Sequence, residues 1–310
     1  MKSVAARAWR ILLWLLLALA GLLLAATIAG LALAPSHAGS SVAGKPPPPP
    51  VIDTAPGSDK PTLILLHGAG LNAHMWDAVI RHLDPRWRVV AVDLPGHGAR
   101  QDEDYSVDAA ARTVAAAAAR VAPAPVVLVG DSLGGYSAMA GAALVPPQQL
   151  RGLVVCGASA VIPAHLGPLE WAQRLLFRLL IAAGDPDKLA ARALAKFGVA
   201  PDDAVVIQRA GVNLSEVEIA VDALAGADFR PQLKRIPQPV LFMNGDGDTG
   251  RVAEEPSFVA AAPRGSSHRF LDTGHGVSML RPADFAAQLN AFAQRVFVVS
   301  PDPYVAFETP

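Results

Sequence analysis

The chain has 310 residues, enough for one large α/β domain with a full core once an apolar N-terminal segment is set aside. A formal net charge of −1 and the lack of any long Lys/Arg run exclude the electrostatic footprint of a nucleic-acid binder. The single cysteine, Cys156, rules out an internal disulfide and reads as a small buried hydrophobe, and no Cys/His cluster has metal-ligand spacing.

From Ile11 to Ala34 the sequence carries no charge, and about 24 residues rising 1.5 Å each reach roughly 36 Å, beyond a bilayer core of about 30 Å. Residues 1–35 are therefore expected to hold a transmembrane helix that anchors the chain. Lys2, Arg7 and Arg10 precede it, which keeps the N-terminus cytoplasmic and sends the remainder to the periplasmic or extracellular side. A secretory signal peptide is the rival reading, because Ser36-His37-Ala38 before Gly39 is a small-residue cleavage site, and cleavage there would release a secreted protein. Residues 36–60 read as a linker in which Pro46 to Pro50 form a stiff polyproline spacer about 15 Å long.

From residue 61 to 299 strands and helices alternate, the pattern of a mostly parallel sheet of six to eight strands covered on both faces. Strands are expected at Leu63–Leu66, Arg88–Val92, from Val126, at Leu153–Cys156, Val240–Met243 and Arg269–Leu271. Helices are expected at Met75–Leu83, Val107–Val121 and Pro282–Val296, and residues 300–310 form a tail. At about 160–236 the alternation stops and helices dominate. Leu169, Ala172, Leu175, Leu176, Leu179, Leu180 and Ala183 make one apolar stripe. Asp185 and Pro186 open a second helix that Gly198 closes, and Ser215 with Glu218 reads as a capping box for a third. Such an inserted block is expected to cap a pocket.

The run Val126-Val127-Leu128-Val129 breaks at Gly130-Asp131-Ser132-Leu133-Gly134, a Gly-x-Ser-x-Gly turn between a strand and a small-residue helix. Its glycines leave room for a serine held in strained backbone with its hydroxyl pointing outward. A serine hydroxyl is a weak nucleophile until an oriented base takes its proton, so an acid and a histidine should follow. Asp246 and Asp248 come after the Val240 strand, and His275 comes after the strand ending at Leu271. All lie at carboxyl ends of strands, where open α/β sheets bind ligands. Asp272 reads as a turn residue. His67 and His97 sit in glycine-rich loops and should hold backbone geometry, whereas His37, His74, His82, His165 and His268 have no partner in sequence.

With His67-Gly68-Ala69-Gly70, Asp93-Leu94-Pro95-Gly96-His97-Gly98, the Gly130–Gly134 turn, Gly245-Asp246-Gly247-Asp248 and Gly274-His275 in this order, the segment from about Thr62 to Val296 resembles the α/β-hydrolase superfamily. The resemblance implies Ser132 as nucleophile, His275 as base, Asp248 as orienting acid with Asp246 its competitor, and the backbone amides of Ala69 and Leu133 as oxyanion hole. It implies no cofactor and no metal. The expected activity is cleavage of a small-molecule carboxylic ester, thioester or amide through an acyl-enzyme. Carbon–carbon bond hydrolysis or a cofactor-free perhydrolase reaction would use the same residues, and a non-catalytic, membrane-anchored binding module is the alternative from a different class. Two departures stand out. Asp131 places a carboxylate beside the nucleophile, where it would raise the pKa of the catalytic histidine or repel anionic substrates. Only about ten residues separate the polyproline from the Leu63 strand, so the sheet is expected to be one or two strands short at that edge.

Overall fold

The computed structural model describes residues 51–165 and 167–298, and the expected membrane helix, most of the linker and the tail lie outside them. Among the described residues no helix is long and apolar enough to cross a membrane. Seven strands form one sheet in the order β1-β3-β2-β4-β5-β6-β7. They are β1 (Val51–Asp53), β2 (Thr62–Leu66), β3 (Arg88–Val92), β4 (Val126–Asp131), β5 (Leu150–Cys156), β6 (Val240–Gly245) and β7 (Gly265–Phe270). All neighbours run parallel except β1, which pairs antiparallel with β3.

The central strands read as continuous apolar runs because both of their faces are covered. Alternate residues therefore feed two cores. Ile64, Leu66, Val90 and Leu128 face α2 (Val107–Arg120) and α3 (Leu133–Ala142). Leu63, Leu65, Val89 and Val127 face Trp76 and α11 (Pro282–Val298), which follows the short α10 (Val277–Leu280), on the other side. In register, Leu63 stands level with both Val89 and Val127, so the carboxyl ends of β3, β2 and β4 come together.

Four local expectations need correction. Val51–Asp53 is not linker: it forms β1, held by the buried Arg88 guanidinium on the Asp53 carboxylate at 2.7 and 2.9 Å. The edge therefore carries one three-residue strand. The helix expected over Met75–Leu83 is a 3-10 turn at Ala73–Trp76 followed by α1 (Asp77–Ile80). Side-chain acceptors shape that start: Asn72 Oδ1 takes the His74 amide and Asp93 Oδ1 takes the Ala73 amide, while Pro85 disfavours helical backbone at Asp84. Strand β7 begins at Gly265 rather than Arg269, its serines having hidden it, and Leu271 lies beyond it at 68% exposure. Ser215 makes no capping bond, because Asn213 Oδ1 takes the Ser215 amide instead.

Between β5 and β6 lie the inserted helices α4 (Pro168–Ala183), α5 (Pro186–Lys196), α6 (Pro201–Arg209), α7 (Glu216–Leu224) and α8 (Arg230–Leu233). Asp185 caps α5 as its sequence suggests, accepting from the Asp187 and Lys188 amides. The apolar stripe of α4 is only partly covered, since Leu176 and Leu180 are exposed. Arg174 and Arg178 of α4 both reach Glu218 of α7. The block sits over the carboxyl ends of the strands. Asn72 Nδ2 donates to the Ile207 and Gly211 carbonyls, and Gly70, Gly96 and Gly276 lie against Asn213, Glu216 and Phe197.

Candidate active site

Ser132 lies between β4 and α3 with φ +52 and ψ −115, in the positive-φ region that a side chain rarely adopts. The turn closes this tightly because of two glycines. A Cβ on Gly130 would stand 2.1 Å from the Gly134 carbonyl oxygen, and one on Gly134 would stand 2.1 Å from that of Leu66. The Ser132 amide is tied to the Cys156 carbonyl at 2.7 Å, which fixes the turn to the neighbouring strand. Gly68 comes close from the β2 side: its Cβ would be 3.7 Å from that of Ser132.

The chain brings His275 and Asp248 to this turn. His275 Nε2 is 3.0 Å from Ser132 Oγ, and His275 Nδ1 is 2.6 Å from Asp248 Oδ2. An ionised carboxylate only accepts, so Nδ1 carries the proton and Nε2 presents a lone pair to the serine hydroxyl. Asp248 stands at the N-cap of α9 (Thr249–Ala261) yet makes no side-chain capping bond, because its carboxylate is turned to the imidazole. Asp246 does something else. Its Oδ1 takes the Thr273 amide at 3.1 Å, and backbone donors, Thr273 first, hold its carboxyl below the usual range. It pins the loop after β6 to the loop after β7. Asp272 is exposed with φ +54, a turn residue as expected.

The loop histidines are structural. His67 donates from Nδ1 to the Gly68 carbonyl and accepts the Leu94 amide on Nε2, and His97 donates from Nδ1 to the Pro95 carbonyl. Burial lowers them to about 4 and about 3, so both rings are neutral. His74 has a partner the sequence did not suggest, Asp77 at 3.0 Å. Asp131 is 2% exposed and faces inward, accepting from the Ser278 hydroxyl. Cys156 is buried beside it.

Sequence reasoning missed Gly157 and Asn244. Gly157, just after β5, has φ +61, and a Cβ there would be 2.8 Å from His275 Cε1, so it forms the wall behind the imidazole. Asn244 on β6 holds it there, accepting the Gly157 amide at 2.9 Å while donating to Ser159 and to Glu255. A glycine directly after an apolar strand was the available signal. No group of three or more His, Cys, Asp or Glu side chains among the described residues is arranged to hold a metal.

Comparison with known proteins agrees with this architecture. The model of a family described as the alpha/beta hydrolase family matches residues 63–288. The pimeloyl-(acyl-carrier protein) methyl ester esterase of Edwardsiella ictaluri is 30% identical over 251 residues, covering 76% of this chain and 95% of that protein. An esterase of Mycobacterium tuberculosis is 44% identical over a shorter stretch of 93 residues, 29% of this chain and 30% of that protein. Among solved structures, a thermophilic esterase from Thermogutta terrifontis superposes with a TM-score of 0.61 at 22% identity, covering 79% of this chain and 93% of that one. A bromoperoxidase from Bacillus anthracis does so with a TM-score of 0.64 at 19% identity, covering 79% and 94%. At such identities the structures speak for the fold alone. The family model and the long relative go further: this chain belongs to the alpha/beta hydrolase family and is an enzyme.

Proposed function

We propose that the chain hydrolyses carboxylic esters through an acyl-enzyme formed on Ser132. The observation that carries this reading is the unbroken hydrogen-bonded run from Ser132 Oγ through His275 to Asp248, at 3.0 and 2.6 Å, ending on a serine whose backbone is held in strain. Relatives named as ester hydrolases support the bond class.

In the first half-reaction Ser132 Oγ attacks the acyl carbon as its proton passes to His275 Nε2. Asp248 stabilises the imidazolium through Nδ1. The carbonyl oxygen becomes an oxyanion, for which the amides of Leu133 and Ala69 are the proposed donors, each supplying on the order of 3 kcal/mol. Leu133 is the first residue of α3, so its N–H has no carbonyl in its own helix to bond, and the approach of Gly68, next to Ala69, to Ser132 supports the second donor. Collapse of the intermediate expels the alcohol, which takes the proton from Nε2. Water then repeats the sequence: it gives its proton to Nε2 and its oxygen to the acyl carbon, and His275 returns the proton to Ser132 as the acid leaves.

A fluorophosphonate probe tests the reading directly. It should label the wild-type protein and not Ser132→Ala, whose hydrolysis of a p-nitrophenyl ester should fall by about 10⁴-fold or more. Labelling that persists in Ser132→Ala overturns the serine mechanism. A series of p-nitrophenyl esters of rising chain length then measures the acyl site beneath the inserted helices.

We further propose that this chemistry takes place on the non-cytoplasmic side of a membrane, anchored by Ile11–Ala34. The uncharged length of that segment and the basic residues before it support the placement. Retention in the membrane pellet after alkaline extraction, with residue 1 still present, is expected. A mature N-terminus at Gly39 overturns the anchor and leaves a secreted enzyme.

A further inference from the structure

Asp131 is a carboxylate buried one residue before the nucleophile, and the proton transfers above do not use it. Burying an ionised carboxylate costs several kcal/mol unless donors and opposite charge offset it. Two donors stand against it. The hydroxyl of Ser278, fully buried, donates to Asp131 Oδ2, and the Cys156 thiol bonds to it from the adjacent strand. Neither carries charge. The cation that can offset the carboxylate is the imidazolium of His275, three residues before Ser278 in the chain. The Asp131–Ser278 bond also joins the two segments that carry nucleophile and base, across 147 residues of sequence.

We propose that Asp131 is a positioning residue for His275. Through Ser278 it holds the segment His275–Ser278 against the Ser132 turn, and its buried charge stabilises the imidazolium that forms when Ser132 Oγ gives up its proton. This rests on the Ser132–His275–Asp248 reading. Asp131 thus acts through Ser278 and by charge, while Asp248 acts on the ring by a direct hydrogen bond.

The surrounding charges are few. From β5 comes Cys156, whose thiol burial and the Asp131 charge push well above its ordinary value, so it stays protonated and donates. From beyond β7 come Ser278 and His275. Burial first, and then the like charge of Asp248 from beyond β6, raise the Asp131 carboxyl above its ordinary value, while His275, Ser278 and Cys156 hold it toward the ionised form. Arg251 of α9 donates to the Gly157 carbonyl at 3.3 Å, on the wall behind the imidazole. On the β2 side the Gly68 backbone approaches the Asp131 carbonyl, and His67 next to it is neutral.

The test is the pH dependence of kcat/KM for a p-nitrophenyl ester, whose acid limb reports protonation of the free enzyme's base. In Asp131→Asn and Asp131→Ser, either of which suffices, the limb should move to lower pH by about half a unit to one unit, since the charge favouring the imidazolium is gone. The plateau should fall through kcat with KM nearly unchanged, because the carboxylate is buried behind the Ser132 turn. Fluorophosphonate should still label Ser132 in both variants. A limb that stays at its wild-type position while the plateau falls overturns the electrostatic role and leaves Asp131 a packing residue. Loss of labelling in Ser132→Ala with hydrolysis retained would instead strike the underlying mechanism, so the two failures are distinguishable.

Discussion

Ser132 holds a backbone conformation that costs a non-glycine residue of the order of 1–3 kcal/mol, and the glycines around it make relaxation impossible. Removing the hydroxyl leaves that strain in place, whereas removing the Cβ relieves it. Ser132→Gly should therefore be more stable than Ser132→Ala by up to about 1 kcal/mol in urea denaturation, both being inactive. The two aspartates after β6 separate in the same manner. Asp248→Asn, which lets the imidazole adopt the wrong tautomer, should lower kcat by about 10³- to 10⁴-fold. Asp246→Asn keeps the side chain's shape and an acceptor for the Thr273 amide, and should lower kcat far less. At this scale the sequence was informative wherever chemistry dictated residue type: that Ser132, His275 and Asp248 would meet was legible from strand ends and chain order. Gly157, Asn244 and Ser278 were not, because a supporting residue is defined by what it touches across the sheet, and their partners are far away in sequence.

At the scale of elements, the outcome followed the local physics. Val107–Arg120 was legible from its apolar periodicity, and the β2 and β3 runs from unbroken apolar stretches that match their burial on both faces. Where side-chain polar groups intercept backbone amides, periodicity misled. Asn213 takes the amide that would have begun a capping box, and Asn72 with Asp93 turns the start of an expected helix into a 3-10 turn. Asn72 is fully buried and donates to the Ile207 and Gly211 carbonyls at 2.8 and 2.9 Å, which joins the inserted helices to the loop after β2. Asn72→Ala leaves two carbonyls short of a donor, and a loss of about 2–3 kcal/mol in unfolding free energy is expected. Protection of the α6 amides from hydrogen exchange should fall more than that of β4.

Across the whole molecule, the fold buries polar rings as well as apolar ones. His67 and His97 are neutral in the fold, at about 4 and about 3, against about 6.5 in the unfolded chain. The unfolded state thus binds protons that the folded state refuses. The stabilisation is complete above about pH 6.5 and is lost as pH falls toward 4. The urea midpoint should decline across that window, and His97→Asn should flatten the decline.

The short strand β1 has a consequence of direction. Because it runs antiparallel to β3, Val51 stands opposite Val92, at the end of the sheet where Ser132, Asp248 and His275 meet. The described chain therefore enters the fold at the rim of that end rather than at its opposite pole. A leash fastened there pulls the mouth of the enzyme, and not its back, toward whatever the leash is fixed to.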